Sequence, residues 1–157
     1  MYKFLLNSFF FILLFFVCGC GKYDETNTIY NFYKEYTVAC NTGTTDNILK
    51  KYCSKKMLAD LDILYSFDTE DSIVVGIDYD IFFNAQDILP LENFKVVKIE
   101  NNLYSVVWDG IAKPIKIKLV KEDGTFKIDE LDSYNLEQVK KDVDDYWINK
   151  KLNSKKG

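Results

Sequence analysis

Carboxylates, amides and aromatic rings are concentrated between residues 76 and 87, in a stretch without clean helix or strand periodicity. Carboxylates in such a stretch suit acid–base catalysis, cation binding or the capture of a basic partner. Polar groups set among apolar ones on a connecting segment commonly line a ligand site. We therefore take six residues as binding candidates: Asp78, Tyr79, Asp80, Asn84, Gln86 and Asp87.

The same segment does not have the pattern of an EF-hand calcium loop. EF-hand spacing beginning at Asp78 fails at three later positions, which hold Phe82, Phe83 and Leu89 instead of an oxygen ligand, Gly and Glu. We predict no metal and no cofactor. A looser calcium site stays open as an alternative, and so does a structural role in which these side chains cap turns.

The basic residues exclude several kinds of catalysis. The chain has 157 residues, and all 20 basic ones are lysines, with no Arg and no His. Without His there is no imidazole general base, and Ser–His or Cys–His triads are excluded. Without Arg there is no guanidinium clamp for phosphate. We predict that the protein is not an enzyme and has no catalytic residues.

The first residues predict export. Lys3 precedes an apolar run over residues 4–17, and small residues follow it, which is the plan of a secretory signal. A retained transmembrane helix is the alternative, because the segment from residue 4 to residue 20 reaches the minimum of ~17 residues that a helix needs to span a bilayer. The end of the segment, Val17-Cys18-Gly19-Cys20, resembles the bacterial lipobox. That resemblance implies diacylglycerol and a further acyl chain such as palmitate on Cys20, with cleavage before it.

These boundaries define a mature protein in the cell envelope. We expect a signal peptide at 1–19 and a tether at 20–27, with two or three acyl chains holding the protein on a membrane. Removal of 19 residues leaves 138 of the 157, and loss of Lys3 changes the net charge from −4 to −5. That balance argues against nucleic acid as a partner. Residues 21–25 loosely resemble a Bacteroidota surface-export signal, with a plain solvated tether as the alternative, so the leaflet stays open.

Two cysteines remain in the mature domain, Cys40 and Cys53. An even number in an oxidising compartment favours a disulfide between them, and closing this loop would stabilise the fold by roughly 3 kcal/mol on the chain-entropy model. Two buried free thiols are the alternative.

Hydrophobic periodicity predicts helices first and strands afterwards. Three helices are expected, capped by Thr28, by Thr44 or Thr45, and by Ser54. Period-two patterns then predict strands at Phe94–Glu100, at Leu103–Trp108, from Ile115, and around Phe126. A helix with a basic tail returns after Asn135. We predict an α+β domain at 28–134, with N-terminal helices packed on a curved antiparallel sheet of about four strands, and a C-terminal amphipathic helix at 135–157.

Several segments resemble a family of Bacteroidota envelope lipoproteins that has no established activity. They are LKKYCSKKML at 49–58, IDYD at 77–80, FNAQD at 83–87, KIKLVKE at 116–122 and FKID at 126–129. The resemblance covers roughly residues 28–132 and implies a cystatin-like or nuclear-transport-factor-like cone. The family pattern often has Pro after the second Asp, where this chain has Ile81, so that turn is expected to be less rigid.

The function expected from the sequence is a membrane-anchored, non-enzymatic binding domain for an envelope protein, peptide or glycan. One alternative is an immunity or inhibitor protein that neutralises a periplasmic or surface enzyme. A second is a small-substrate enzyme in a cone-shaped fold that uses Asp78, Asp80 or Asp87.

Overall fold

A computed structural model describes residues 24–109 and 113–155. The signal peptide, Cys20 and residues 21–23 of the tether lie outside these residues. The α+β prediction is confirmed: three N-terminal helices precede a four-stranded antiparallel sheet, and a helix follows it. Within the described ranges, no helix combines the length and apolar character needed to cross a membrane.

The three N-terminal helices are α1 (Glu25–Thr42), α2 (Thr45–Tyr52) and α3 (Lys55–Leu64). α1 begins four residues before the expected start, with Asp24 as its cap in place of Thr28, because the Asp24 carboxylate accepts the Thr26 backbone N–H at 3.2 Å. Residues 25–27, expected in the tether, are therefore helical, and Thr28 is a buried helix residue. The Ser54 cap is confirmed by a 3.0 Å bond from the Met57 N–H.

A short hairpin, β1 (Phe67–Asp68) and β2 (Ile73–Val74), follows α3 and was not predicted. The main sheet comprises β3 (Phe94–Glu100), β4 (Leu103–Trp108), β5 (Ile115–Glu122) and β6 (Thr125–Leu131), in that spatial order. Register shifts interrupt the β3–β4 and β5–β6 pairings, and such bulges bend and twist a sheet. The last helix, α4, spans Leu136–Ser154.

The core lies between the helices and one face of the sheet. Alternate residues of β4 and β5 point into it, including Tyr104, Val106, Ile117 and Leu119. Helices α1 and α3 cover this face with five fully buried side chains: Ile29, Phe32, Tyr33, Met57 and Leu64. Burial of this many large side chains, at about 1.5–3 kcal/mol each, is the main force holding the two layers together.

The helical layer is also tied to the sheet by hydrogen bonds. The Ser54 N–H donates to the Ile128 carbonyl at 2.9 Å, and the Ser54 hydroxyl donates to the Asp129 carboxylate at 2.6 Å. Cys53 forms a parallel bridge with Ile128. The α2–α3 junction therefore covers part of the β6 edge, while β3 forms the opposite edge of the sheet.

Helix α4 is held against the β1–β2 hairpin by charge. The Lys150 ammonium lies 2.5 Å from the Asp68 carboxylate, 2.9 Å from Glu70 and 3.2 Å from Asp71. Tyr146 donates a 2.6 Å bond to the same buried Asp68 carboxylate. Hydrogen bonds from Lys150 and Tyr146 hold the pKa of Asp68 well below its usual value.

Candidate functional site

The predicted 76–87 segment begins where the chain passes closely against the end of α3. A Cβ at Gly76 would lie 2.0 Å from the Leu64 carbonyl oxygen, so only glycine fits there. The Ile77 N–H donates to the same carbonyl at 2.7 Å. This contact fixes the entry of the segment, and with it the direction of the residues that follow.

Asp80 forms the turn at the centre of the segment. Its Oδ1 accepts the backbone N–H groups of Phe82 at 2.8 Å and Phe83 at 3.3 Å. Its backbone pairs with Ala85 at 2.9 and 3.4 Å. Asn84 closes the turn with φ +50°, a left-handed conformation that Asn tolerates better than most residues. The turn is thus built by short polar side chains bonding to nearby backbone.

Three tyrosines tie this turn to the rest of the core. Tyr36 donates a 2.8 Å bond to Asp80 Oδ2, Tyr33 donates 2.7 Å to the Phe82 carbonyl, and Tyr79 donates 2.9 Å to the Ser133 carbonyl. Burial raises the pKa of the Asp80 carboxyl, against the lowering effect of its hydrogen bonds. Burial and the Asp80 charge raise the pKa of Tyr36 well above its usual value.

The six predicted residues therefore divide into two sets. Tyr79, Asp80 and Asn84 are half-buried and form or anchor the turn. They have the structural role that the sequence analysis left open as an alternative to ligand binding. Asp78, Gln86 and Asp87 are exposed, and their side chains make no hydrogen bond to another described residue. The exposed set is held on a rigid frame and is free to contact a partner.

The segment lies toward the C-terminal end of α1. Tyr36 is 11 residues beyond Glu25, which is roughly 16 Å along the helix axis at 1.5 Å per residue. At the other end of α1, the Glu25 carboxylate lies 2.8 Å from the Lys98 ammonium and accepts the Tyr104 hydroxyl. The N-terminal end of the domain and the 78–87 segment are therefore well separated.

The structure does not assemble an evident catalytic or metal site from the predicted carboxylates. Asp80 turns inward to its hydrogen bonds, whereas Asp78 and Asp87 point to solvent. In residues 24–109 and 113–155, no three Asp, Glu or Cys side chains are grouped to hold a metal ion.

The expected disulfide between Cys40 and Cys53 is not formed in the structure, where both are free thiols. Cys53 is buried in the core, and burial raises its pKa to about 12. Cys40 is half-buried at the end of α1, and burial followed by the Asp80 charge raises its pKa. The alternative of two free thiols is the arrangement that the structure has.

A polar cleft of about 410 Å³ lies between α1, the end of α2 and the start of β6, and sequence reasoning missed it. Its lining includes Asn31, Glu35, Lys51, Tyr52, Phe126 and Lys127. Glu35 accepts two bonds from Lys51, at 2.8 and 2.7 Å, and one from Tyr52 at 2.8 Å. The hydrogen bonds from Lys51 are the main cause that lowers the pKa of Glu35, so the carboxylate is ionised. Lys127 donates to the Lys51 carbonyl at the C-terminus of α2.

Comparison with known proteins gives a fold relationship. The structure is similar to a crystal structure of a protein of unknown function from Bacteroides thetaiotaomicron, with a TM-score of 0.54 and 23% sequence identity. The match covers 68% of this chain and 87% of that protein. No protein-family model matches the sequence, and no curated protein matches it either.

Proposed function

We propose that the protein is a lipid-anchored lipoprotein of the cell envelope, and that its α+β domain is a binding module for a basic protein partner. Its export segment and lipobox support the anchor, and its segment-by-segment resemblance to Bacteroidota envelope lipoproteins supports membership of that family. The fold similarity to a Bacteroides protein is consistent with this assignment.

The observation that carries the binding proposal is the exposed set Asp78, Gln86 and Asp87 on its rigid turn. Loss of side-chain and loop freedom is a large cost of association. Here the turn is already fixed by the Asp80 bonds to Phe82 and Phe83 and by Tyr36, so binding would order little further. Two uncompensated carboxylates on a domain of net negative charge favour a basic partner and steer its approach.

The position of the tether supports the same assignment. Three residues lie between Cys20 and Asp24, and the four Cα-to-Cα steps that join them reach at most about 14 Å. A lipid on Cys20 would therefore keep the start of α1 near the membrane. The turn between Asp78 and Asp87 is bonded to α1 at Tyr36, roughly 16 Å along the helix from its start, and both carboxylates are exposed to a partner in solution.

Charge-neutralising variants test the binding surface. Full-length protein with Asp78→Asn and Asp87→Asn should lose partner capture from solubilised envelopes, while its melting temperature changes little because both side chains are exposed. The matched control carries Asp144→Asn and Asp145→Asn, which remove two exposed charges on α4. Equal capture by both double variants would refute the proposed surface. If the captured partner is an enzyme bound in fixed ratio, its inhibition by the protein would assign the inhibitor role.

The anchor has its own test. Wild-type protein grown with an alkyne-labelled fatty acid should carry the label and partition into the detergent phase, and Cys20→Ser should do neither. Recovery of unlabelled wild-type protein with Met1 in the soluble fraction would refute the anchor without bearing on the binding surface.

A further inference from the structure

The 410 Å³ cleft beside α1 has the size of a small-molecule site. Ligand pockets commonly have volumes of about 300–1,000 Å³ and combine apolar walls with a few fixed polar groups. The apolar wall here is Phe126, which is half-buried and lines the cleft. The cleft is formed by different residues from the 78–87 segment.

The polar groups of the cleft are fixed by bonds within the protein. Glu35 is held by Lys51 and Tyr52, and Lys51 also lies over the Tyr52 ring at 4.9 Å. Lys127 is held by the Lys51 carbonyl. Each ammonium has three N–H donors and each ionised carboxylate has several lone pairs, so both kinds of group keep capacity for a ligand.

Asn31 supplies a second kind of recognition. It is exposed on α1, and its side chain makes no hydrogen bond to another described residue. A side-chain amide offers both a donor and an acceptor. The cleft therefore presents donors from Lys51 and Lys127, an acceptor from Glu35, and both from Asn31.

This mixture discriminates between ligand classes. A small anion would satisfy the lysines but would face the Glu35 carboxylate, and a small cation would face the two ammonium groups. A wholly apolar ligand would desolvate charged groups without replacing their hydrogen bonds, which is costly. A hydroxyl group both donates and accepts hydrogen bonds. A ring with several hydroxyls and one C–H face could therefore bond to the lysines, to Glu35 and to Asn31, and pack on Phe126.

We propose that this cleft binds a neutral sugar ring, whose hydroxyls bond to Glu35, Asn31 and the two lysines while its C–H face packs on Phe126. The proposal does not depend on lipidation or on the surface around Asp78. Sugar binding is therefore expected to persist in the variant with Asp78→Asn and Asp87→Asn.

Saturation-transfer NMR on the full-length protein tests this, in a detergent without a sugar headgroup. The probes are neutral oligosaccharides of glucose, mannose and N-acetylglucosamine, with inorganic phosphate titrated separately as the anion probe. At least one oligosaccharide should receive saturation at its ring C–H protons. Asn31→Ala and Phe126→Leu should each weaken its binding about tenfold, as expected for one lost hydrogen bond or stacking contact.

Matched controls lie outside the cleft. Asn149→Ala changes an exposed Asn on α4, and Phe67→Leu changes a Phe on β1 that is 50% exposed; both should leave the affinity unchanged. Asn31→Ala is an exposed change and keeps the test valid even if Phe126→Leu disturbs packing. No saturation of any oligosaccharide, binding of phosphate alone, or equal affinity in Asn31→Ala and Asn149→Ala would overturn the proposal.

Discussion

Replacement of Asp80 by Ala should destabilise the domain strongly, although Asp80 lies in a loop. The change removes the acceptor for the Tyr36 hydroxyl at 2.8 Å and for the N–H groups of Phe82 and Phe83 at 2.8 and 3.3 Å. Tyr36 is only 5% exposed, and the two Phe residues are 0% and 2% exposed, so water cannot readily replace the carboxylate.

The size of the effect follows from these lost bonds. A buried donor left without its partner costs about 1–3 kcal/mol. If only the two shorter bonds are counted, the unfolding free energy should fall by about 3 kcal/mol. For a domain of this size that loss lowers the melting temperature by about 10 °C.

Thermal unfolding of the purified protein, followed by circular dichroism, measures the change. Asp78→Ala is the matched control, because it makes the same replacement two residues away at an exposed position and should stay within about 0.5 kcal/mol of wild type. Asp80→Asn should lie between them, since its amide oxygen still accepts the two N–H groups. Equal melting temperatures for Asp80→Ala and Asp78→Ala would refute the account of the turn.

The pH dependence gives a second readout on Asp80. Burial raises the pKa of its carboxyl above the ordinary value of 3.8, so the folded protein holds this proton more tightly than the unfolded chain does. The resulting stabilisation is present below pH 3.8 and is lost as the pH rises through the folded-state pKa. The unfolding free energy of wild type should therefore fall relative to that of Asp80→Asn between acid and neutral pH. A wild-type unfolding free energy that rises relative to that of Asp80→Asn over the same range would contradict this.

Three further substitutions or reactions test contacts elsewhere. Gly76→Ala should lower the denaturant midpoint more than Gly124→Ala, because a Cβ at Gly76 would meet backbone at 2.0 Å. Gly124 has open space around it, and its φ of +80° would cost an alanine about 1–2 kcal/mol. A larger loss for Gly124→Ala would contradict the close approach at Gly76. In native protein Cys40 should react with a thiol reagent faster than Cys53, whose pKa burial raises to about 12, and mass spectrometry of the labelled peptides would show it; equal labelling would be inconsistent with a buried Cys53. Lys150→Gln should speed amide hydrogen exchange in α4, because the ammonium group joins that helix to three carboxylates; unchanged exchange would mean that apolar packing alone holds the helix.

Local patterns were sufficient to predict most of the elements. The bounds of β3 and β4 agree with the sequence prediction, because one face of each strand is buried and the period of two is visible. Ser54 was predictable as a cap because a short polar residue precedes a helical apolar pattern. The predicted start of α1 was wrong by four residues, since Asp24 and Thr28 are both good caps and only the fold buries Thr28.

Long-range contacts explain what the sequence could not predict. The β1–β2 hairpin has strands of two residues, too short for a pattern, and its Asp68 is paired with Lys150, 82 residues away. The sequence indicated the 78–87 segment but not which side chains face inward, because that choice depends on Tyr36, 44 residues before Asp80. The cleft joins Asn31, Lys51 and Phe126 from three separate elements, and no single stretch carries a signal for it.

The bond between Ser54 and Asp129 has a consequence for biosynthesis. These partners are 75 residues apart, so at about 5–20 residues per second the ribosome needs several seconds to supply the second one. Throughout that interval the nascent helical half has no sheet on which to bury Phe32, Tyr33 and Met57, which are fully buried in the finished fold. The two-layer core of a newly made chain can therefore close only when nearly all of the polypeptide has been synthesised.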